Sequence, residues 1–486
     1  MERHSQSRPE YDHIPLTLDE LKARETWMME TGNWREDHSV PSAGEHYRYM
    51  WKWDSAKAVV INARRNDPER AAVELATLLG YQDPNTGFLP NKIFATADRK
   101  TWRDYPEAWN FNNNRIGSSY TQPPLEPWAA METYQSFVRC GRENEGVAFL
   151  EAVYGTATEG DCAGLQGAHA YFIHHRKNSS GSLIGIVHPN ETGRDSDEAN
   201  KPWLVYSNKR GYDAKCEWLQ MQKLGWDLRR LGRDPAGLRV DWIPEKVRDR
   251  YWVNDVMFNA MHAHGLRRLA EIAGILHEAS DDSLKKQHYL RDLGRYSSIA
   301  ADVEAEILGR MWDQKEGFFY NLDMHGNQIP VESATGLFPL LLEGISEEQT
   351  EALLCKLEDP EWFATKYPIP THAARSPFYD PDPTGFKNKF TPQWSGTVWT
   401  DVNHIIVEEG LVPSAENFPA LRSRLLGRAT LIADRTRELL AGESKSMEYY
   451  SPETGRGMRV ADFMWTNIGL HFEKTERAAE TLPDQI

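Results

Sequence analysis

Two short segments carry carboxylates in settings where they could act on a glycosidic bond. His188-Pro189-Asn190-Glu191-Thr192-Gly193-Arg194-Asp195-Ser196-Asp197 holds Glu191, Asp195 and Asp197 in one predicted loop. Ser446-Met447-Glu448-Tyr449-Tyr450-Ser451-Pro452-Glu453-Thr454-Gly455 sets Glu448 before two aromatics and a Pro-x-Thr-Gly turn. Cleaving a glycoside takes two carboxyl groups across the scissile bond. One stays protonated and donates to the leaving oxygen; the other takes a proton from water or attacks the sugar. Aromatic neighbours exclude water and so tune such carboxyl groups. The pairing has little specificity alone, because the chain has 72 acidic residues. Solvated carboxylates with turn roles are the plain reading of each fragment.

Two aromatic segments add weight. Tyr47-Arg48-Tyr49-Met50-Trp51-Lys52-Trp53-Asp54-Ser55 concentrates aromatics around one Asp just before a predicted helix, and Gln393-Trp394-Ser395-Gly396-Thr397-Val398-Trp399 repeats the theme at another loop-to-helix junction. A sugar ring has apolar faces and hydroxyl edges, so aromatic planes beside a carboxylate suit it. The alternatives are that Asp54 is a helix N-cap and that the 17 Trp of the chain simply fill a core.

The elements that must carry these segments are mostly helices. Asp67-Pro68 pairs an N-cap with Pro at the first helical position, and Val73, Ala76 and Leu79 lead to a stop at Gly80. Val253, Val256, Met257 and Ala260, continued by Leu266, Leu269, Ala270 and Ala273, give an apolar stripe over 251–278 at ordinary core spacing. Further helices are predicted near 16–30, 52–65, 126–140, 143–154, 212–232, 282–311, 346–356, 397–410, 418–441 and 461–473. Strand signals are few and short, for example at Gly181 to Val187 and Phe318 to Leu322. Long loops at 101–124, 188–202 and 367–393 fit functional loops better than accidental ones. No linker divides the chain. The pattern predicts an all-α chain, a single domain over 1–486 with polar tails at about 1–15 and 475–486. About six inner and six outer helices in a ring, an (α/α)6 barrel, would accommodate it.

Composition removes several classes. With 56 Lys plus Arg against 72 Asp plus Glu, a net charge of −16 argues against a nucleic-acid binder. No apolar run approaches the length of a membrane span, and Met1 to Leu16 lacks the apolar segment of a signal peptide. Cys140, Cys162, Cys216 and Cys355 are scattered like reduced thiols. A glycan on the Asn190-Glu191-Thr192 sequon would sit beside Asp195, which fits a non-secreted chain. These signs together predict a cytoplasmic protein. His174-His175 and His262-x-His264 lack the spacing of a zinc helix, so no metal is expected.

The ordered motifs resemble glycoside hydrolase family 63, within the wider (α/α)6-barrel glycosidases. They are Met50-Trp51-Lys52-Trp53-Asp54-Ser55, Thr121-Gln122-Pro123-Pro124, Glu191-Thr192-Gly193-Arg194-Asp195-Ser196, Gln393-Trp394-Ser395-Gly396-Thr397-Val398-Trp399, Glu448-Tyr449-Tyr450-Ser451-Pro452-Glu453-Thr454-Gly455 and Phe463-Met464-Trp465-Thr466. The compact length most resembles the hydrolases of mannosylglycerate and glucosylglycerate. The resemblance implies Asp195 as general acid and Glu448 as general base. It implies an inverting reaction, whose carboxyl groups lie roughly 6.5–9.5 Å apart. Tyr47, Trp51, Lys52, Trp53, Asp54 and Trp465 would bind the sugar. Gln122 and Tyr105 would reach the leaving-group side, Gly193 would let the backbone approach substrate, and Gln393 with Trp394 would wall the pocket. The partner is a small glycoside, without cofactor, nucleic acid or membrane; the oligomeric state, a homo-oligomer included, is left open.

The sequence departs from the family pattern at Asn190, where relatives often carry an aromatic, and at Ser395, where they commonly carry Arg. Arg115, Arg210, Arg248 and Arg375 are the candidates for reading a glycerate carboxylate, whose two oxygens suit a guanidinium fork. The rival readings are an α-glucosidase acting on neutral disaccharides, a phosphorylase on the same barrel, and a non-catalytic sugar binder.

Overall fold

The computed structural model describes residues 9–11, 13–42, 47, 49–94, 108–111, 115–118, 120–158, 161–178, 181–194, 197–200, 251–383 and 394–480. The expected helix at 212–232 lies outside them, as do Tyr105, Asp195, Gln393, Arg210 and Arg248.

After α1 (Leu18–Trp27), helices come in pairs of a buried and a half-exposed member. In α2 (Lys52–Arg64) every residue is buried, whereas α3 (Pro68–Leu79), packed along it, buries one face. Asp67 caps α3 through the Arg70 amide, with Pro68 in its first turn. The buried α4 (Glu126–Arg139) pairs with α5 (Glu143–Tyr154). Next comes α6 (Gly164–Tyr171), a helix that the periodicity did not flag. The long α7 (Val256–Ala279) then pairs with α8 (Ser283–Glu306). The first half of α7 is buried all round, from Val256 to Leu266, so it is an inner helix and not an amphipathic one. Asp255 and Asp282 cap these two helices.

Most expected helices fall within a few residues of their predicted bounds. The expected 282–311 segment is α8 followed by a π-turn, Ile307–Met311, and 397–410 is a short helix, Thr400–Ile405, followed by another, Ile406–Leu411. The 461–473 segment is instead a 3-10 turn, Met464–Leu470, followed by a helix at Glu473–Ala479.

Gly181 to Val187 is not a strand. Only isolated bridges form there, Lys177 with Ile184 and Ile186 with Val253. Phe318–Phe319 and Asn321–Leu322 are strands, as expected. Two further β units matter more. The first is a four-stranded antiparallel sheet in the order β1 (Met50–Trp51), β2 (Lys92–Phe94), β4 (Arg115–Ser118), β3 (Ala108–Phe111), with Trp51 opposite Lys92. The second is a hairpin of two strands, Met447–Tyr450 and Gly457–Ala461, whose register shifts between Met447 and Tyr449. Short β stretches this close to loops carry no period for a sequence reading to detect. Among the described residues, no helix is long and apolar enough to cross a membrane.

Candidate active site

Glu448 stands on the first hairpin strand, at the register shift. Bulges re-aim side chains, and this one coincides with the proposed base. Its side chain is buried. Tyr47 Oη donates to Glu448 Oε1 at 2.9 Å, and Arg459 Nε lies 3.2 Å from Oε2. One carboxylate oxygen therefore has a hydroxyl donor and the other faces a guanidinium cation. Arg459 comes from the partner strand and has φ +69°.

From Tyr47 a chain of aromatic contacts runs into the molecule. Tyr47 meets Trp51 edge-on at 6.1 Å between ring centroids and Phe463 at 5.4 Å. Phe463 packs on Trp465 at 5.3 Å, Trp465 on Trp53 at 5.7 Å, and Trp53 lies 6.5 Å from Trp394. Trp399 stacks on Trp394, Trp465 and Tyr449. The structure thus brings together aromatics from four distant motifs. It also shows that Trp53, Trp394 and Trp465 belong to the main hydrophobic core, so packing and site share these rings. The buried indole N–H groups of Trp51, Trp394 and Trp465 have no hydrogen-bond partner among the described residues.

Gly193 adopts the left-handed conformation, φ +70°, at the end of a 3-10 turn over Pro189–Thr192. A Cβ there would lie 2.4 Å from Trp53 Cζ2. The close approach that glycine permits is therefore to the Trp53 indole, where the expectation was an approach to substrate. Gln122 also touches this residue, its side-chain oxygen accepting from the Trp53 amide at 3.2 Å.

One expected sugar-binding residue, Lys52, points elsewhere, and another, Asp54, joins a buried charge cluster beside the indoles of Trp53 and Trp465. Lys52 is buried, its ammonium 2.6 Å from Glu126 and 3.0 Å from the carbonyl oxygens of Gln122 and Pro123. Burial pushes its pKa down, against the pull of Glu126. Adjacent helical residues are turned by about 100° from each other, so Lys52 and Trp53 cannot serve the same face. Lys52 instead tethers the Gln122 segment. Asp54 is not the helix cap, because Trp51 occupies that position without a side-chain cap. Asp54 lies in a buried charge cluster with Lys57 and Asp401. Burial pushes it up to about 7, Lys57 opposing and Asp401 adding. The Lys57 ammonium is 2.6 Å from Asp401 and 3.3 Å from the ring centres of both Trp53 and Trp465, a cation held between two indoles.

The acidic loop sorts itself. Glu191 receives both Nη atoms of Arg176, at 2.8 and 2.7 Å, and the amides of Val187 (2.8 Å) and Thr121 (3.2 Å). Asp197 is held by Arg194 Nε at 2.8 Å and by His372 at 3.1 Å. Burial alone would raise its pKa, but Arg194 and His372 hold it well below the usual carboxylate range. Arg194 also donates to Asp255, the cap of α7. Glu191 and Asp197 are thus committed to structure on either side of Asp195. Of the arginines proposed for a glycerate carboxylate, Arg375 is committed too. It reaches Glu316 and Glu332 at 3.5 Å and lies over the Trp362 ring.

Arg459, Lys57, Arg176 and His372 escaped the sequence reading. Lys57 could have been found, since it stands four residues after Trp53 on one helix face. The others act across long sequence separations that no local spacing encodes.

Residues 47–466 match the family described as mannosylglycerate hydrolase MGH1-like glycoside hydrolase domain, and the chain belongs to that family of glycosidases. It is similar to the mannosylglycerate hydrolase of Thermus thermophilus, 27% identical over 457 residues that cover 89% of this chain and 96% of that one. It is also similar to the glucosylglycerate hydrolase of Mycolicibacterium hassiacum, 25% identical, covering 86% and 90%. The fold resembles the crystal structure of a family 63 mannosylglycerate hydrolase, also from Thermus thermophilus, in complex with Tris. The TM-score is 0.70 at 23% identity, covering 93% of this chain and 99% of that one.

Proposed function

We propose that this glycosidase hydrolyses the α-glycosidic bond of mannosylglycerate, with glucosylglycerate as a second substrate, releasing the sugar and glycerate with inversion. Asp195 is the general acid, and Glu448 the general base that activates water. The observation that carries this reading is the setting of Glu448. It is a buried carboxylate with one oxygen on Tyr47 and the other on Arg459, at the edge of an indole cluster. An ionised, fixed carboxylate is what a general base requires. The indole donors of Trp51, Trp394 and Trp465 suit a hydroxyl-rich ligand, and the named relatives from Thermus and Mycolicibacterium support the glycerate conjugate. Gln122 and Tyr105 serve the leaving-group side, and Gln393 with Trp394 walls the pocket. The whole chain, 1–486, forms one cytoplasmic (α/α)6-barrel domain in this reading. The inner α2, α4 and α7, each beside an outer partner, support the ring arrangement.

The test is sugar release from mannosylglycerate, glucosylglycerate, mannosylglycerol, trehalose and kojibiose. Cleavage confined to the glycerate conjugates is the expected result. Since Arg375 is committed elsewhere, the carboxylate reader is sought among Arg115, Arg210 and Arg248. Cleavage of neutral disaccharides at comparable rates would replace the glycerate assignment with an α-glucosidase, in keeping with Ser395 where relatives commonly carry Arg.

A further inference from the structure

Arg459 has a backbone conformation that an L-residue seldom adopts. Its φ of +69° belongs to the left-handed region, in the middle of a strand and opposite a register shift. Asn, Asp and Gly tolerate that region best, and arginine gains nothing locally from occupying it. Strain of this kind persists where the surroundings over-determine it, and it concentrates at functional sites. What the conformation achieves here is visible in the side chain. It is largely buried and brings Nε to 3.2 Å from Glu448 Oε2, on the side of the carboxylate opposite Tyr47.

We infer that Arg459 is a positioning residue for the reaction, holding Glu448 ionised and aimed from the oxygen that Tyr47 does not reach. This rests on the reading of Glu448 as the general base. The charged and titratable groups facing Glu448 among the described residues include Arg459 from the partner strand, Tyr47 from the segment before β1, and Tyr449 beside it on its own strand. Tyr449 is in turn influenced by Arg459 and by Asp380. Arg459 is the cation of this set. An opposite charge within ~4–6 Å favours the ionised form of a carboxyl group, and Arg459 Nε lies 3.2 Å from Glu448 Oε2. The consequence is a base that stays deprotonated, and so active, to lower pH than an unassisted buried carboxylate. Tyr47 as a neutral donor fixes the orientation; Arg459 supplies the charge.

The test separates charge from backbone. Arg459→Gln removes the cation. Arg459→Gly removes it and also relaxes the left-handed position, which keeps the variant foldable. Arg459→Lys keeps the charge on a different stem. The acid limb of kcat/KM against pH is expected to move up by about one unit in Arg459→Gln and in Arg459→Gly. The limb should return most of the way in Arg459→Lys, and the melting temperature of Arg459→Gly should not fall below that of Arg459→Gln. An acid limb that stays in place in both neutral variants, or moves equally in all three, overturns the assignment. Glu448→Gln is run beside them. If it retains activity, the base reading itself fails; if it is inactive and the limb does not move, only the role of Arg459 fails.

Discussion

Replacing Glu191 tests whether the acidic loop divides into structural and chemical carboxylates. Glu191 is fully buried and receives a two-pronged contact from Arg176, itself 1% exposed, plus two backbone amides. Glu191→Ala leaves the guanidinium buried without its counter-charge, which costs about 3–5 kcal/mol. It also leaves the Val187 and Thr121 amides without an acceptor, each worth about 1–3 kcal/mol if unsatisfied. These terms share one relaxing site and do not add fully, so a loss of about 4–6 kcal/mol is expected. That is a large part of the total stability of a typical domain. Asp195→Asn should behave in the opposite way. It should change stability by no more than about 0.5 kcal/mol and lower kcat by about 10²–10⁴. Urea unfolding followed by Trp fluorescence gives the first quantity, and initial rates on the folded fraction give the second. A Glu191→Ala variant as stable as the parent but with the kcat loss of Asp195→Asn would refute the division.

The remaining predictions concern the support beneath the aromatics and the far end of α2. Gly193→Ala places a methyl 2.4 Å from Trp53 Cζ2 at φ +70°. With about 1–2 kcal/mol for the left-handed position and about 1–3 kcal/mol for overpacking, its unfolding midpoint should fall clearly, and near-UV dichroism should report a displaced indole. Lys57→Met leaves Asp401 buried without its cation and should destabilise by about 3–5 kcal/mol; a double variant with Asp401→Leu should recover most of this in a double-mutant cycle. His471 is held, largely shielded from solvent, between Glu25 at 2.7 Å and Glu473 at 3.3 Å. Burial alone would lower its pKa, but the two carboxylates push it up to about 9 from an ordinary 6.5. The folded state holds this proton more tightly, so the stabilisation is complete below about pH 6.5 and is lost as pH rises through about 9. Melting temperatures across that window should fall further in the parent than in His471→Asn.

How much of this was readable in advance depends on the range of the forces involved. The helix at 68–79 was legible because its Asp67 cap, Pro68 and apolar period act within a few residues. The two short β units were not, since strands of two to five residues beside loops have no period to detect. The motifs around Trp53, Gly193, Trp394, Glu448 and Trp465 pointed to one place, and the aromatic contacts join them there. Which member of each motif faces that place was less legible. Lys52 and Asp54 sit in the same run as Trp53, yet the helical turn sends Lys52 to Glu126 and Asp54 to Lys57 and Asp401. Arg459 could not have been read at all, because its meaning lies in a backbone angle and a cross-strand contact with Glu448.

The most direct test of the central claim is the anomer first released. With mannosylglycerate in a proton NMR tube, the proposal requires attack by water on the face opposite glycerate, so β-mannose should appear first and mutarotate afterwards, with no signal from Glu448→Gln or Asp195→Asn. First release of α-mannose, or unchanged turnover by Glu448→Gln, would contradict an inverting hydrolase that uses Glu448 as its base.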